Sequence, residues 1–398
     1  MMLKYALLRC ANVATFELTP EQELIRQTVR EFAEKHVRPI AAKADQEKRW
    51  PAENVPRMAE LGLLGMNVDP QWGGAGTDMV SYAIAIEELS RACASHGVIA
   101  SVNNSLYLWP VLHFGTDAQK EKFAKPFAQG RKLGAYALSE PVAGSDPAGG
   151  QSVAAKKGDH YVLNGQKNFI TNGGHADAYV VFCKTDPAAK HKGMSALLVE
   201  KGMTGFTWSE PEHKMGIRAA HSTQLYFDNV EVPAENLLGK EGDGFKVAMM
   251  TLDGGRIGIA AQALGIAQAC LEESVDYAKQ REQFGKPIAE FQAIQFKLAD
   301  MAMRIQASRL LTYQAAALKD AGKKYGPAAA MAKCYAGDTA MWAATEAVQI
   351  HGGNGYTTDY AAERHFRDAK ITQIYEGTNE IQRVVVAGAV LKGEIGRA

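Results

Sequence analysis

Four stretches of this sequence join residue types that could do chemistry. Near the C-terminus, Ile374-Tyr375-Glu376-Gly377-Thr378-Asn379-Glu380 sets a carboxylate between an aromatic and a glycine. Burial there would raise the pKa of Glu376 toward that of a working base, and the glycine would admit a substrate. Judged from its neighbours alone, Glu376 also reads as an ordinary surface carboxylate. Upstream, Tyr136-Ala137-Leu138-Ser139-Glu140-Pro141-Val142-Ala143-Gly144-Ser145-Asp146 joins polar side chains to a Gly/Pro-rich turn. Such a turn suits a backbone-lined site for a flavin edge or a phosphate, and it also suits a plain loop. In Gly165-Gln166-Lys167-Asn168-Phe169-Ile170-Thr171 an aromatic and a hydroxyl stand two residues apart. On an extended segment they share one face, so Phe169 can lie against a ring that Thr171 hydrogen-bonds. The fourth stretch, Gln349-Ile350-His351-Gly352-Gly353-Asn354-Gly355-Tyr356, ends a helix in glycines and lets a ligand or another backbone come close.

Composition narrows what these groups serve. Lys+Arg and Asp+Glu both number 44 in 398 residues, a formal charge of +0, so no global field draws nucleic acid or anionic lipid. Five cysteines (Cys10, Cys93, Cys183, Cys270, Cys334) show no CxxC or Cys/His pairing, so neither a metal nor a disulfide framework is expected. No apolar run approaches the roughly 18 residues of a membrane span. Residues 1–16 carry Lys4 and Arg9 but no acid, as an organelle transit remnant or a disordered terminus would.

The elements that must position the four stretches follow from patterning. Thr19-Pro20-Glu21-Gln22 signals a capped helix start, Ile25, Val29, Phe32 and Ala33 give that helix a buried stripe, and Pro39 limits its continuation. Helical patterns run on to about residue 129, broken at 69–76, where Gly73-Gly74-Ala75-Gly76 reads as a tight turn or, more weakly, a phosphate cradle. From 136 to 242, β-branched and aromatic runs at 160–163, 179–183, 196–199 and 225–232 predict an antiparallel β unit. Helical stretches return at 245–281, 288–318 and 325–351. The fold class is α+β, with a helical unit at 17–135, a β unit at 136–243 and a helical bundle at 244–398. The mixed-charge run 364–370 reads as a solvated or interface face, and His351 and His365 as packing or solvated residues.

Taken together, the four stretches resemble the acyl-CoA dehydrogenase family from about residue 18 to 391, most of all its short-chain, butyryl-type members. Ser101-Val102-Asn103-Asn104-Ser105-Leu106-Tyr107-Leu108 and Thr251-Leu252-Asp253, followed by Arg256-Ile257-Gly258, look like that subgroup. The resemblance implies that Glu376 takes the α-proton of a short or 2-methyl-branched acyl-CoA while FAD takes the β-hydride, giving a trans-2-enoyl-CoA. It implies flavin contacts from Tyr136, Leu138, Ser139, Gly144, Ser145, Phe169, Ile170 and Thr171; many relatives have Trp where this chain has Phe169. Arg281, Gln283, Phe284, Gln292, Gln349, Gly352 and Gly353 match positions that hold the dinucleotide portion across a subunit interface, and Thr378 and Glu380 match further FAD contacts. Ser145, Asp253, Arg256 and Gly377 match substrate contacts, although Arg256 also reads as a structural ion-pair partner.

Some relatives carry their base one residue before this arginine. Here Gly255 stands in its place, so Glu376 is the one family-type candidate. The pair Gly254-Gly255 departs from a helix's usual composition, and it either makes room for a wider acyl group or allows close helix packing. The partners implied are an electron-transferring flavoprotein and three further copies in a homotetramer, and the location is the mitochondrial matrix or otherwise the cytoplasm. The alternatives are an acyl-CoA oxidase, which is typically much longer, and a non-catalytic CoA- or flavin-binding assembly protein. A nicotinamide enzyme would need a Gly-rich strand-to-helix turn that is missing here.

Overall fold

The computed structural model describes residues 17–395, so the expected transit remnant at 1–16 lies outside the described residues. Thr19 opens helix α1 (Pro20–Phe32) with the expected capping box: its Oγ1 accepts from the Gln22 N–H at 3.2 Å, and Gln22 Oε1 accepts from the Thr19 N–H at 3.1 Å. Pro39 does not end the helical run. The chain widens into a π turn at Ala33–Val37 and continues as α2 (Arg38–Gln46). Pro39 has no N–H for the carbonyl four residues back, and the wider turn absorbs the missing bond.

Six more helices follow: α3 (Val55–Glu60), α4 (Met79–Ala92), α5 (Ala94–Ser101), α6 (Trp109–Phe114), α7 (Asp117–Phe123) and α8 (Lys125–Ala128), with a π segment at Val102–Leu108. Every residue of α4 is buried, which makes it the central helix of its layer. The 69–76 loop is no phosphate cradle. Gly73 N–H donates to Pro70 O at 2.9 Å, Ala75 N–H to Gly65 O at 2.9 Å and Gly76 N–H to Val68 O at 2.9 Å, so its donors serve the turn itself.

The sheet comprises β1 (Gly134–Ala137), β2 (Val153–Lys157), β3 (His160–Thr171), β4 (Ala178–Lys184), β5 (Met194–Glu200), β6 (Phe206–Trp208), β7 (Ser222–Pro233) and β8 (Leu237–Leu238). Its order is β6-β7-β3-β2-β4-β5-β8, with β1 beside β4. Pairing is antiparallel except where β1 and β2 run parallel to β4, because the chain crosses over before β4 instead of turning back in a hairpin. The C-terminal helices are α9 (Gly244–Gln280), α10 (Gln292–Asp320), α11 (Gly326–His351), α12 (Ala362–Ile371) and α13 (Asn379–Leu391).

The two helical units share one apolar core, which reaches from Val29 to Ala369 and places α4 against α9. The sheet contributes to that core from one face only. Along β4, Ala178, Val180 and Phe182 join the helices, while Tyr179, Val181 and Cys183 fill a second core on the far face. The same alternation sends Tyr136 and Leu138 toward the helices and Ala135 and Ala137 away from them. On the helix-facing side of β1, Tyr136 Oη donates to Ala248 O of α9 at 3.4 Å.

The run 364–370 departs from its sequence reading. Arg364, His365 and Asp368 are buried, Asp368 Oδ1 accepts from the Ile217 N–H at 2.5 Å, and Arg367 Nη2 binds Asp45 Oδ2 at 2.7 Å. Half of this charged face is therefore an inward ion-pair network joining α12 to α2 and the loop before β7. His351 and His365 do pack: His351 stacks on Tyr277 at 4.2 Å, and buried His365 pairs with Glu273 at 3.2 Å.

Candidate active site

Between the sheet and α9 lies one cavity that gathers Tyr136, Leu138, Ser139, Gly144, Ser145, Phe169, Ile170, Thr171, Arg256, Glu376 and Gly377. Its apolar floor comes from Val98, Val102 and Leu106 on α5 and the π segment, with Met249, Leu252 and Ile381. Val102, Leu106 and Leu252 belong to the stretches that carry the family resemblance, but none of the six had been given a place in a site. The helical spacing of Val98 and Val102 was a signal of burial, but nothing in it told a cavity wall from ordinary core.

Glu376 sits in a turn with two successive left-handed residues, Glu376 at φ 53 and Gly377 at φ 90. The carboxylate points at α9. A Cβ at Gly255 would stand 2.1 Å from Glu376 Oε2 and 2.8 Å from Leu106 Cδ2. Gly255 is thus the recess that receives the carboxylate, and Gly254 receives the end of Lys319, whose Nζ would be 2.8 Å from an added Cβ. Neither glycine widens an acyl pocket; both allow close packing. Although part of Glu376 faces the cavity, its Oε2 is buried and has no hydrogen-bond partner. Loss of water pushes its pKa up to about 8, with Lys333 and Arg256 opposing the rise. The backbone N–H of Glu376 donates to nothing among the described residues, so it remains available to an incoming carbonyl.

This packing yields a sharp expectation for Gly255→Ala. The methyl would collide with the tip of a side chain and not with backbone, and alanine favours a helix, so the protein should fold and melt within a few degrees of the parent. Displacing a reacting carboxylate by about 1 Å costs about 100-fold in rate. Turnover measured beside bound-flavin absorbance should therefore fall about that far with the flavin retained, and an unchanged rate would refute the packing account.

On the opposite wall, the 165–171 segment is not evenly extended. β3 slips register against β7 between Lys167 and Ile170, and Phe169 adopts φ 58 in the bulge. Phe169 and Thr171 still line the same cavity while Ile170 also enters the far-face core. The Phe169 ring is 66% exposed, which leaves a flat apolar face at the cavity edge. Among the described residues the hydroxyls of Ser139, Ser145 and Thr171 have no hydrogen-bond partner, and a Cβ at Gly144 would meet nothing within 4 Å. An exposed aromatic face, free hydroxyls and an open glycine fit a planar heterocycle with polar edges.

Two residues of the quoted stretches that had no assigned role hold this wall together. Buried Lys167 donates to Glu140 Oε1 at 2.7 Å and to Leu138 O at 3.1 Å, while Glu140 accepts from the Gln151 N–H at 2.5 Å. The ion pair fastens the 138–145 turn to β3. Asn168 N–H adds a bond to Ser139 O at 2.8 Å.

Most of the remaining candidates lie off this cavity. Arg256 borders it and makes the ion pair considered for it: Nη1 donates to Asp253 Oδ1 at 2.5 Å, while its buried Nε has no partner among the described residues. Asp253 serves that pair and is not on the cavity wall. Thr378 caps α13, its Oγ1 accepting from the Ile381 N–H at 3.3 Å, and Glu380 is exposed. Arg281, Gln283, Phe284, Gly352 and Gly353 line a different, open cavity with His351 and Asn354, and Gln292 and Gln349 are exposed outside both. Phe284 is 94% exposed there.

Comparison with known proteins agrees with this architecture. Residues 19–131, 135–230 and 242–391 match the N-terminal, middle and C-terminal domain models of acyl-CoA dehydrogenase. A short-chain specific acyl-CoA dehydrogenase of Clostridium acetobutylicum is 52% identical over 377 residues, 95% of this chain and 100% of the relative. The mitochondrial short-chain specific enzyme of Bos taurus is 53% identical over 94% of this chain and 91% of its own. The structure of butyryl-CoA dehydrogenase from Megasphaera elsdenii superposes with TM-score 0.92 at 49% identity, covering 95% of this chain and 100% of that one. A chain in the structure of the electron transferring flavoprotein of Acidaminococcus fermentans superposes with TM-score 0.94 at 51% identity over 95% of this chain and 100% of that one.

Proposed function

The chain belongs to the acyl-CoA dehydrogenase family, and on that premise we propose that Glu376 is the base that takes the α-proton of a short-chain acyl-CoA. The observation that carries this reading is the buried, unpartnered Oε2 of Glu376, seated against Gly255. In water a glutamate has a pKa of about 4.3 and is too weak a base for the α-carbon of a thioester. At about 8 the same carboxylate is matched to the task near neutral pH. The free N–H of Glu376 would donate to the thioester carbonyl and stabilise the charge that builds on its oxygen as the proton leaves. The apolar floor of Val98, Val102 and Leu106 would take the acyl tail.

Phe169, Ser139, Ser145 and Thr171 would hold FAD, which when bound would supply the hydride acceptor and make the product a trans-2-enoyl-CoA. Arg256 and Gly377 would hold the thioester end. Arg281, Gln283, Phe284, Gly352 and Gly353 face away from this cavity, which supports their serving the dinucleotide of a neighbouring subunit. Exposed Phe296, Met303 and Leu310 recur every seven residues on α10, an apolar seam suited to helix pairing in a homotetramer. Sedimentation of the FAD-loaded protein at the mass of one chain would refute that assembly. The likeness to a chain from the work on the electron transferring flavoprotein of Acidaminococcus fermentans supports such a protein as the electron acceptor. The mitochondrial relatives support a matrix location and the equally similar bacterial ones a cytoplasmic location. No helix among the described residues is long and apolar enough to cross a membrane.

Anaerobic flavin bleaching against straight and 2-methyl-branched acyl-CoAs from C4 to C16 tests the substrate assignment. Bleaching should be fastest with the C4 to C6 thioesters. A preference for C12 or longer would overturn the short-chain reading, and peroxide formation at the rate of turnover would favour an oxidase.

A further inference from the structure

Building on the assignment of Glu376 as the base, we propose that Lys333 is its positioning residue: the ammonium clips the Glu376–Gly377 turn and supplies a counter-charge that favours the ionised carboxylate. Lys333 lies on α11 and is 0% exposed. Its Nζ donates to Gly377 O at 2.8 Å and to Asn379 Oδ1 at 2.9 Å. Both acceptors are neutral. Burial disfavours an ammonium held only by neutral groups, and a nearby anion would favour its charged form.

The charged and titratable groups around Lys333 are Glu376, Arg256, Cys334 and Asp338. Asp338 is already engaged, accepting from Arg383 Nη2 at 2.7 Å, Gln373 Nε2 at 2.7 Å and Asn379 Nδ2 at 2.8 Å. The Glu376 carboxylate has no such partner and is the strongest influence opposing burial at Lys333, whose pKa burial pushes down to about 8. Seen from Glu376, Lys333 likewise outranks Arg256 among the groups that favour the ionised form. Arg256 shares its charge with Asp253 at 2.5 Å. The other titratable groups facing Glu376 are the phenols of Tyr375, Tyr136 and Tyr82, all raised by burial and therefore neutral over the working range.

Geometry explains why the cation is placed at the turn. Glu376 at φ 53 is a non-glycine residue in the left-handed region, a strained conformation that its surroundings must hold. Gln382 Nε2 also braces the turn, at 3.3 Å from Glu376 O and 2.9 Å from Gly377 O. Gln382 shows that a neutral amide can hold these carbonyls. The added property of a lysine is its field, which favours the ionised form of the base and so lowers the pH at which the base gains its proton.

The test is the pH dependence of kcat/KM for butyryl-CoA in the FAD-loaded parent and in Lys333→Gln, Lys333→Met and Glu376→Gln. In the parent, activity should fall with decreasing pH through about 8, as the free base gains its proton. Lys333→Gln keeps an N–H donor and removes the charge. Its acid limb should move up by about one pH unit, roughly tenfold less activity below the limb, with a plateau near the parent's. Lys333→Met should show the same shift and a lower plateau, because the clip is lost as well. Asn379→Asp leaves the lysine in place but sets an anion beside it, and should move the limb in the same direction even where the Lys333 variants fail to hold FAD. An acid limb at the parent's position in these variants would overturn the inference. If Glu376→Gln retained turnover, the base assignment itself would fall; a dead Glu376→Gln beside unmoved acid limbs would remove only the role of Lys333.

Discussion

Glu376→Gln is expected to lower the rate of flavin reduction by butyryl-CoA about 1,000- to 10,000-fold, the contribution of a positioned general base. Glutamine has the shape of glutamate but accepts no proton at its amide oxygen. The substitution removes no hydrogen bond from the fold, because Glu376 Oε2 has no partner to lose. Nor does it alter the backbone N–H of residue 376, so the thioester carbonyl keeps its donor. Stopped-flow bleaching under anaerobic conditions should show the slow step, while a spectral titration should show acyl-CoA still binding. A variant that reduces its flavin within tenfold of the parent's rate would mean that another group takes the proton. Gly255 cannot be that group, and the carboxylate of Asp253 is occupied by Arg256.

The second large effect is expected at a residue with no part in the chemistry. Lys167→Met should destabilise the 138–145 turn by about 3–5 kcal/mol, because it strands the Glu140 carboxylate in the interior. Lys167 is 2% exposed and Glu140 7%, so water cannot replace the lost cation. Burial by itself would raise the Glu140 pKa; the Lys167 charge and the N–H donors of Gln151 and Ser152 hold it below its ordinary value. The turn carries Ser139, Gly144 and Ser145, so the variant should release FAD as well as melt earlier. Paired with Glu140→Gln the loss should be much smaller, since no buried charge is then left alone. Equal FAD retention in Lys167→Met and the parent, measured by flavin absorbance after gel filtration, would contradict this account.

Much of the frame was legible along the chain. The capping box at Thr19, the β-branched runs at 160–163 and 179–183 and the apolar helical stretches after 244 each became the element expected of them. These signals are local: a cap or a period of apolar residues acts over a few residues and survives in any context. The π turn before Pro39 and the bulge at Phe169 were not legible, because a one-residue slip in a helix or a ladder is decided by what packs on either side. The inward charges of 364–370 escaped for a similar reason. Their partners, Asp45 and Glu273, lie far away in sequence and nothing local marks them.

What the sequence determined by itself was a set of four motifs, a helix–sheet–helix order and the family they resemble. It could name Glu376, but the immediate neighbours of that residue read more readily for a surface carboxylate than for a base. The tertiary structure decided the difference by seating Oε2 against Gly255, more than a hundred residues earlier, and by burying Lys333 beneath the turn. A pKa depends on water, charge and dielectric within a few ångströms, and those surroundings are assembled from α9, α11 and β1 only when the chain has folded.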